Sequence, residues 1–215
     1  MKKIATVCTM AAMMACSSVE QKQEQASETS VIGQPDVKIE NGQMSPEVLW
    51  AFGRVGNMCV SPDGKRVAYT VTYYSIPENK SNSEVYVMDA DGANKKQLTR
   101  TAAREGALAW LPSGKAIAFL RDGKLWNIDP ENGAETQVSD IEQSIDGFLY
   151  APAEDKMLFV ISTKIEKCTG AELYGDLDKA NAYVYDDLMY RHWDSWKDGN
   201  YNHIYVGDLV SGKVK

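Results

Sequence analysis

The chain has 215 residues, of which 44% are hydrophobic and 25% charged, a composition typical of a globular protein. Its 30 acidic and 23 basic residues give a formal net charge of -7. An excess of acid argues against a nucleic-acid partner, because phosphate binding needs clustered Lys and Arg. The only long apolar stretch, Ile4 to Ala15, is shorter than the roughly 20 residues with which a helix crosses a bilayer, so a membrane-spanning protein is not predicted.

Residues 1–15 have the layout of a secretory signal peptide, with Lys2 and Lys3 before a short apolar segment that ends in small residues. Cys16 follows directly, and the junction resembles a bacterial lipobox, although Met13 stands where Leu is usual. This resemblance implies that Cys16 is acylated and that the exported protein is tethered to a membrane surface in the periplasm or cell envelope. A plain signal peptide with an unmodified Cys16 is the alternative.

Residues 16–44 are rich in Glu, Gln, Ser, Lys and Gly, with few large apolar residues. Such a segment cannot bury enough apolar surface to offset the entropy of folding. The sequence therefore predicts a disordered tether over 16–44 and a folded part over 45–215.

Three similar segments follow the tether: SPDGKRVAYTV from Ser61, LPSGKAIAFLR from Leu111 and APAEDKMLFVI from Ala151. In each segment a proline opens a turn, and a run of β-branched and aromatic residues comes next. A second unit then ends in an Asp with a Gly three or four positions later, which is typical of a tight hairpin because the carboxylate accepts backbone N–H bonds. These aspartates are Asp89, Asp129 and Asp208.

Each unit predicts four short antiparallel strands, and its length of about 40 residues is that of a β-propeller blade. The predicted fold class is all-β, a partial β-propeller of about three four-stranded blades near residues 57–99, 105–140 and 146–215. The apolar runs Ala116–Leu120 and Met157–Ile161 predict strands buried on both faces between neighbouring blades. An all-β sandwich is the alternative fold. Because a closed propeller needs at least four blades, we expect an amino-terminal piece of a larger protein.

The third unit contains a long insertion between its second and third strands, over residues 162–202. Loops of this length are usually functional or disordered, and the aromatic content of this one predicts order. One helical turn is predicted over residues 186–190. The aromatic residues of the insertion are Tyr174, Tyr183, Tyr185, Tyr190, Trp193 and Trp196.

The first blade is similar to the start of bacterial prolyl oligopeptidase-family serine peptidases, and the segment YDDLMYRHWDSWKDGNYNHIYVGDL resembles a signature of their dipeptidyl-peptidase 5-like members. The resemblance covers about residues 45–215, and RHWDSW is its most selective part. It implies peptide substrates and a propeller that caps a C-terminal α/β-hydrolase domain with a Ser-Asp-His triad. The chain has no G-x-S-x-G motif, so it is predicted to contain no catalytic residue.

A TolB-like periplasmic propeller, acting as a non-catalytic protein-binding module, is the second functional hypothesis. Its blades also contain SPDG-type turns. A TolB-like protein would carry a small α/β domain before the propeller, whereas only the polar tether precedes the first blade here. This difference favours the peptidase hypothesis.

The resemblance also implies how substrates are recognised. Peptidases that release dipeptides must bind the free α-ammonium of the substrate, and related members of the family do so with carboxylates on propeller insertions. Asp194 is the predicted carboxylate, and neighbouring indoles would add cation–π attraction. The predicted substrate-binding residues are Arg191, Trp193, Asp194 and Trp196.

Other assignments remain open for this segment. Glu166, Glu172 and Asp187 are rival carboxylates for the ammonium. A purely structural role is also compatible with the sequence: Arg191 could pair with Asp194, the tryptophans could pack beneath the loop, and His192 could be a hydrogen-bonded structural residue.

No cofactor and no metal site are predicted. The two histidines, His192 and His203, are eleven positions apart and lack a recognisable ligand spacing. Once the signal peptide is removed and Cys16 acylated, Cys59 and Cys168 are the remaining cysteines. Either a disulfide between them or two unpaired thiols is compatible with the sequence.

Overall fold

The computed structural model describes residues 31–39, 41–210 and 213–214. The predicted signal peptide, the predicted acylation site Cys16 and the tether as far as residue 30 lie outside the described residues. Residues 31–39 form no helix or strand, and the backbone N–H of Ile32 donates a hydrogen bond to Oδ1 of the buried Asn82 at 2.7 Å. Within the described part of the chain, no helix is long and apolar enough to cross a bilayer.

Three four-stranded antiparallel sheets follow one another along the chain. A short helix precedes them, α1 (Pro46–Ala51). The first sheet contains β1 (Arg54–Val60), β2 (Arg66–Ser75), β3 (Lys80–Asp89) and β4 (Lys96–Gln97). The second contains β5 (Glu105–Trp110), β6 (Ile117–Arg121), β7 (Lys124–Ile128) and β8 (Glu135–Gln137). The third contains β9 (Ile145–Tyr150), β10 (Lys156–Lys164), β13 (Asn200–Val210) and β14 (Lys213–Val214).

In every sheet the strands are hydrogen-bonded in chain order, so each sheet is an antiparallel meander. The third meander is interrupted after its second strand by an insertion that contains α2 (Gly170–Leu173), β11 (Arg191–His192) and β12 (Ser195–Trp196). This order confirms the predicted fold class, a partial propeller of three four-stranded blades with a long insertion in the third.

The turn after β7 has the hairpin chemistry predicted from its Asp and Gly. Oδ1 of Asp129 accepts a hydrogen bond from the backbone N–H of Glu131 at 2.7 Å, and Gly133 has a φ of 76°. Oδ2 of Asp129 also accepts from the side-chain amide of Asn132 at 2.9 Å, and Oδ2 of the corresponding Asp89 in the first sheet accepts from that of Asn94 at 2.6 Å. The same residue types therefore close the two hairpins with an asparagine bonded to the aspartate.

The hydrophobic core lies in the two seams between neighbouring sheets. The seam between the first and second sheets is formed by Ala68, Val85, Val87, Trp110, Ile117, Phe119 and Ile128. The seam between the second and third is formed by Leu111, Ala118, Leu125, Val138, Ile145, Tyr150, Met157, Phe159 and Ile161. Because β6 lies in the middle sheet and contributes to both seams, both of its faces are buried, as its apolar run predicts.

The prediction that β10 is likewise buried on both faces is wrong. Met157 and Ile161 face the seam, but Leu158 is 40% exposed. Two residues of β13, Ile204 and Val206, are exposed as well, and β10 pairs with this strand. The physical reason is that no described residue forms a sheet on that side, so one face of the third sheet meets solvent.

A buried polar network accompanies the apolar residues of the first seam. Glu84 on β3 is only 1% exposed. Its carboxylate accepts hydrogen bonds from Asn82 Nδ2 at 2.9 Å, from the backbone N–H of Thr101 at 2.9 Å and from Thr99 Oγ1 at 2.8 Å. Burial is the main cause that raises the pKa of Glu84, and the nearby charge of Glu105 acts in the same direction.

Thr101 joins the second sheet to this network, because its hydroxyl donates to Oε1 of Glu105 on β5 at 2.9 Å, and Glu105 is held by Arg121 on β6. Arg121 Nε donates to Glu105 Oε1 and its Nη1 to Glu135 Oε2, each at 2.7 Å. The guanidinium lies 5.1 Å from the ring centroids of both Phe119 and Trp126. Since the Glu105 side chain is fully buried, this arginine neutralises a carboxylate that has no access to solvent.

Candidate functional site

The insertion is shorter than the sequence predicts. Strands β10 and β13 continue to pair as far as Lys164 and Asn200, so the ladder includes residues at both ends of the predicted range. The insertion proper is residues 165–199. The predicted helical turn over 186–190 is also wrong, because residues 186–188 form bends and 189–190 have no regular structure, and the helical turn lies instead at α2.

A capping box explains where α2 begins. The hydroxyl of Thr169 accepts from the backbone N–H of Glu172 at 3.3 Å, and Glu172 Oε2 accepts from the backbone N–H of Thr169 at 3.0 Å. This reciprocal pair satisfies two amide groups that the start of a helix leaves free. The T-x-x-E spacing of residues 169–172 is a sequence signal for this helix, although no helix was predicted there.

The neck of the insertion is the place where its two ends meet, defined here by Lys164, Glu172, Asp198 and Gly199. The backbone N–H groups of Ile165 and Glu166 both donate to the carbonyl of Gly199, at 2.9 and 3.1 Å. Lys164 Nζ contacts Glu172 Oε1 at 2.7 Å and donates to the Asp198 carbonyl at 2.6 Å. One ammonium therefore links β10, α2 and the residue that returns the chain to β13.

Two of the rival carboxylates, Glu172 and Glu166, already have partners within the insertion or its neck. The hydrogen bond from Lys164 is the main cause that lowers the pKa of Glu172 to about 2, and the backbone N–H groups of Cys168 and Thr169 contribute further. Glu166 lies 3.8 Å from the ammonium of Lys197. Both carboxylates already face cations or amides, so neither is placed as a free acceptor for a substrate.

A two-stranded hairpin carries all four predicted substrate-binding residues. In β11 and β12, Arg191 pairs with Trp196, and the connecting turn contains Trp193 and Asp194. Trp193 is 86% exposed and has a φ of 53°, a left-handed conformation that costs a bulky residue about 1–2 kcal/mol. The hairpin tip therefore presents an indole and a carboxylate to solvent in a backbone conformation that has an energetic cost.

The predicted structural alternative, an Arg191–Asp194 pair, is not formed among the described residues. Asp194 Oδ1 accepts a hydrogen bond from Ser195 Oγ at 3.2 Å, and its carboxylate is exposed. The Arg191 guanidinium instead lies 5.2 Å from the ring centroid of Trp196. His192 contacts the ring of Trp193 edge-on, with centroids 6.1 Å apart.

Behind the hairpin lies an aromatic cluster of Tyr183, Tyr185, Tyr190 and Trp196. Neighbouring rings are 5.7–6.5 Å apart between centroids and are inclined by only 3–28°. The Tyr185 hydroxyl donates to the Lys197 carbonyl at 2.5 Å. Trp196 therefore packs within the insertion, whereas Trp193 remains free of this cluster.

A groove of about 440 Å³ runs along the hairpin and is mostly apolar. Asp194 is the only acidic residue in its lining. A carboxylate beside exposed indole faces is chemically suited to hold a primary ammonium, because charge and cation–π attraction act on the same group. The groove is lined by Met189, His192, Trp193, Asp194, Ser195, Trp196 and Lys197.

The remaining candidates lie apart from the hairpin. Cys59 and Cys168 are both free thiols, and burial raises the pKa of Cys59 to about 11. His203 lies on β13, with Nδ1 2.9 Å from the carbonyl oxygen of Tyr201. Among the described residues, no group of three His, Cys, Asp or Glu side chains is close enough to hold a metal ion.

The three successive four-stranded sheets define the chain as part of a β-propeller. Solved structures share this fold: the acylaminoacyl peptidase of Pyrococcus horikoshii is 18% identical, with a TM-score of 0.56 over 76% of this chain and 24% of that one. An acylaminoacyl peptidase in complex with Z-Gly-Gly-Phe-chloromethyl ketone is 17% identical, with a TM-score of 0.59 over 77% of this chain and 25% of that one. No protein-family model matches the chain.

Sequence relatives are more specific. The chain is 35% identical over 175 residues to dipeptidyl-peptidase 5 of Porphyromonas gingivalis, across 80% of this chain and 25% of that protein. It is 32% identical over 179 residues to dipeptidyl-peptidase 5 of Porphyromonas endodontalis, across 81% of this chain and 26% of that protein. The predicted resemblance to dipeptidyl-peptidase 5-like members of the prolyl oligopeptidase family is therefore confirmed. The chain spans about a quarter of the length of these relatives.

Proposed function

We propose that the chain is the substrate-recognising propeller portion of a serine exopeptidase that releases dipeptides. The relatives named dipeptidyl-peptidase 5 support the reaction class. The hydrolytic triad would be supplied by an α/β-hydrolase domain, because the chain has no G-x-S-x-G motif. In this division of labour the propeller restricts access, and the insertion reads the amino terminus of the peptide.

The observation that carries the proposal is the exposed carboxylate of Asp194 at the hairpin tip. Within the described part of the chain, Asp194 forms no ion pair, and its hydrogen bond comes from the neighbouring Ser195. The indole of Trp193 lies beside it and is almost fully exposed. A free α-ammonium would satisfy the carboxylate, whereas a peptide with a blocked amino terminus would offer it no charge.

The test compares two substrates in the full-length protein that includes the hydrolase domain. The substitution Asp194→Asn should reduce kcat/KM for dipeptide substrates with a free amino terminus by roughly 10- to 1000-fold, as expected for loss of a charge-assisted contact. Slow cleavage of amino-blocked substrates should be almost unchanged, and so should the melting temperature.

Asp187→Asn is the matched control, since Asp187 is a second exposed carboxylate of the same insertion and lies outside the groove at the hairpin. It should leave both substrates unaffected. Equal losses on free and blocked substrates in Asp194→Asn, together with a lower melting temperature, would show that Asp194 is structural.

We further propose that the protein is exported and lipid-anchored at the cell envelope. Support comes from residues 1–16 alone, in which a basic start and an apolar segment precede Cys16. Radiolabelled palmitate should label the wild-type protein in its native host, and Cys16→Ser should abolish labelling. An unlabelled wild-type product would contradict the anchor.

A further inference from the structure

Lys164 occupies a position that no role in catalysis or core packing explains. It is the last residue of β10, so its backbone belongs to the third sheet. Its ammonium, however, contacts two groups of the insertion, the carboxylate of Glu172 at 2.7 Å and the carbonyl of Asp198 at 2.6 Å. A residue of the rigid sheet is thus bonded to both the first and the last part of the insertion.

The contact at Asp198 continues directly to the hairpin. Asp198 follows Lys197, whose backbone N–H donates to the Tyr190 carbonyl at 2.8 Å and whose carbonyl accepts from the Tyr185 hydroxyl at 2.5 Å. Both tyrosines belong to the aromatic cluster that includes Trp196, the second residue of β12. Fixing the Asp198 carbonyl therefore fixes the base on which the hairpin rests.

The second contact fixes the other side of the neck. Glu172 accepts from the backbone N–H groups of Cys168 and Thr169 at 3.1 and 3.0 Å while its other oxygen contacts Lys164. Without the ammonium, α2 would keep its capping box but would lose its ionic link to β10. The backbone bonds at Gly199 and the Glu166–Lys197 contact would still join the two ends of the insertion to each other. A side-chain link to the sheet would remain at Asp198, whose carboxylate accepts from the backbone N–H and Nδ2 of Asn200 at 3.0 and 2.6 Å.

The geometry points to Lys164 as a positioning residue for substrate recognition: it holds the insertion in the orientation that presents Asp194 to the substrate ammonium. This inference rests on the proposed function of the insertion. Lys164 does not contact the substrate, and it acts by limiting the motion of the hairpin relative to the propeller. A displacement of about 1 Å at a recognition group is enough to cost two orders of magnitude in rate.

The first experiment measures Lys164→Met in the full-length protein. For substrates with a free amino terminus, kcat/KM should fall about tenfold or more. Amino-blocked substrates should be unaffected, and limited proteolysis within residues 165–199 should become faster. Lys179→Met is the matched control, because Lys179 is an exposed lysine of the insertion outside the neck; it should change none of these readouts.

A double-mutant cycle separates positioning from general structural support. Because Lys164 acts through Asp194, adding Lys164→Met to Asp194→Asn should cause no further loss on free substrates. An additive loss in the double variant, or equal losses on free and blocked substrates in Lys164→Met, would overturn the positioning role.

Glu172→Gln keeps the test valid if Lys164→Met does not fold. The amide retains one oxygen for the backbone N–H groups but removes the negative charge that faces Lys164. It should produce the same selective loss, to a smaller extent. If Asp194→Asn is selective for free substrates but both neck variants are silent, the positioning role is wrong and the proposed function stands; if Asp194→Asn is not selective, the proposed function itself is wrong.

Discussion

Several arginines of the described residues lie over tryptophan rings, and two of them, Arg121 and Arg191, have completely different surroundings. Arg121 is 5.1 Å from Trp126 and Arg191 is 5.2 Å from Trp196. The side chain of Arg121 is 12% exposed and contacts two glutamates, whereas Arg191 is exposed and has no carboxylate partner among the described residues. An arginine over a tryptophan is therefore part of a buried seam in the propeller, whereas in the insertion the same pair of residue types is exposed to solvent.

The difference shows how the chain separates stability from recognition. In the seam, the buried Glu105 carboxylate is paired with the Arg121 guanidinium, and such pairing is the condition under which a buried charge is tolerated. In the insertion, Trp193 and Asp194 remain exposed, and both Trp193 and Met189 have a positive φ. Positive φ also occurs in the sheets and their turns, for example at Ala107 and Asp122, so exposure rather than backbone conformation distinguishes the insertion.

The difference in stability between a seam variant and an insertion variant should be largest for substitutions of these two arginines. Arg121→Met should destabilise the protein by about 3–5 kcal/mol, because it leaves Glu105 buried without its cation. Calorimetry of the full-length protein should then give a propeller melting temperature lower by about 10 °C. Arg191→Met should change stability by less than about 0.5 kcal/mol. Similar melting temperatures for the two variants would remove the contrast.

A second prediction concerns Gly199, which connects the insertion to the propeller. Its φ is 75°, and a Cβ at this position would collide with the carbonyl oxygen of Glu166. Gly199→Ala should therefore cost about 1–3 kcal/mol. The loss of stability should be confined to the insertion. Limited proteolysis within residues 165–199 should therefore become clearly faster, whereas the melting temperature of the propeller should fall only slightly.

Gly175→Ala is the matched control for that experiment. Gly175 also lies in the insertion, but a Cβ there would meet no atom within 4 Å, and its φ is not in the left-handed region. It should leave proteolysis unchanged. If Gly175→Ala and Gly199→Ala behave alike, the neck does not control the order of the insertion.

The smallest effect is expected at Glu84 and depends on pH. Because burial raises its pKa, the folded state binds more protons than the unfolded state above the ordinary carboxyl value of 4.5, so Glu84 contributes less stability as pH rises through this window. Glu105 and Arg121 are the charged groups that act on it, in opposite directions.

Glu84→Gln removes this titration and retains one acceptor oxygen for the Asn82 and Thr101 donors. At neutral pH its stability should be within about 1 kcal/mol of wild type. The melting temperature of the variant should rise relative to that of the wild type as the pH is raised from about 4.5 to 7. A difference that stays constant over this range would contradict the raised pKa.

The sequence predicted the sheets well because their signals are local. The prolines at 62, 112 and 152 and the Asp-Gly turns lie next to the strands that they delimit. Three glycines provide a further local signal: Gly56, Gly106 and Gly147 stand five or six residues before those prolines, and each lies at a register irregularity in the first strand of its sheet. This recurrence marks the first strand of every repeat.

The network around Arg121 was not predictable in the same way. Its members come from β5, β6 and β8 of the second sheet and meet only after these strands pair in the register of the meander. The end of the insertion depends equally on distant residues, since Lys164 and Asn200 are separated by 36 positions and become ladder partners through tertiary structure. The order at the hairpin was predicted from its aromatic content, but the bonds of its neck were not.

Recognition of the substrate ammonium by Asp194 is tested most directly by a structure of the full-length protein bound to a slowly hydrolysed peptide with a free amino terminus. The measured quantity is the distance from the peptide ammonium nitrogen to the nearest carboxylate oxygen of Asp194. We expect a charge-assisted hydrogen bond of about 2.7–2.9 Å, with the indole of Trp193 beside the ammonium. An ammonium bound by other carboxylates, with Asp194 still exposed to solvent, would contradict this role.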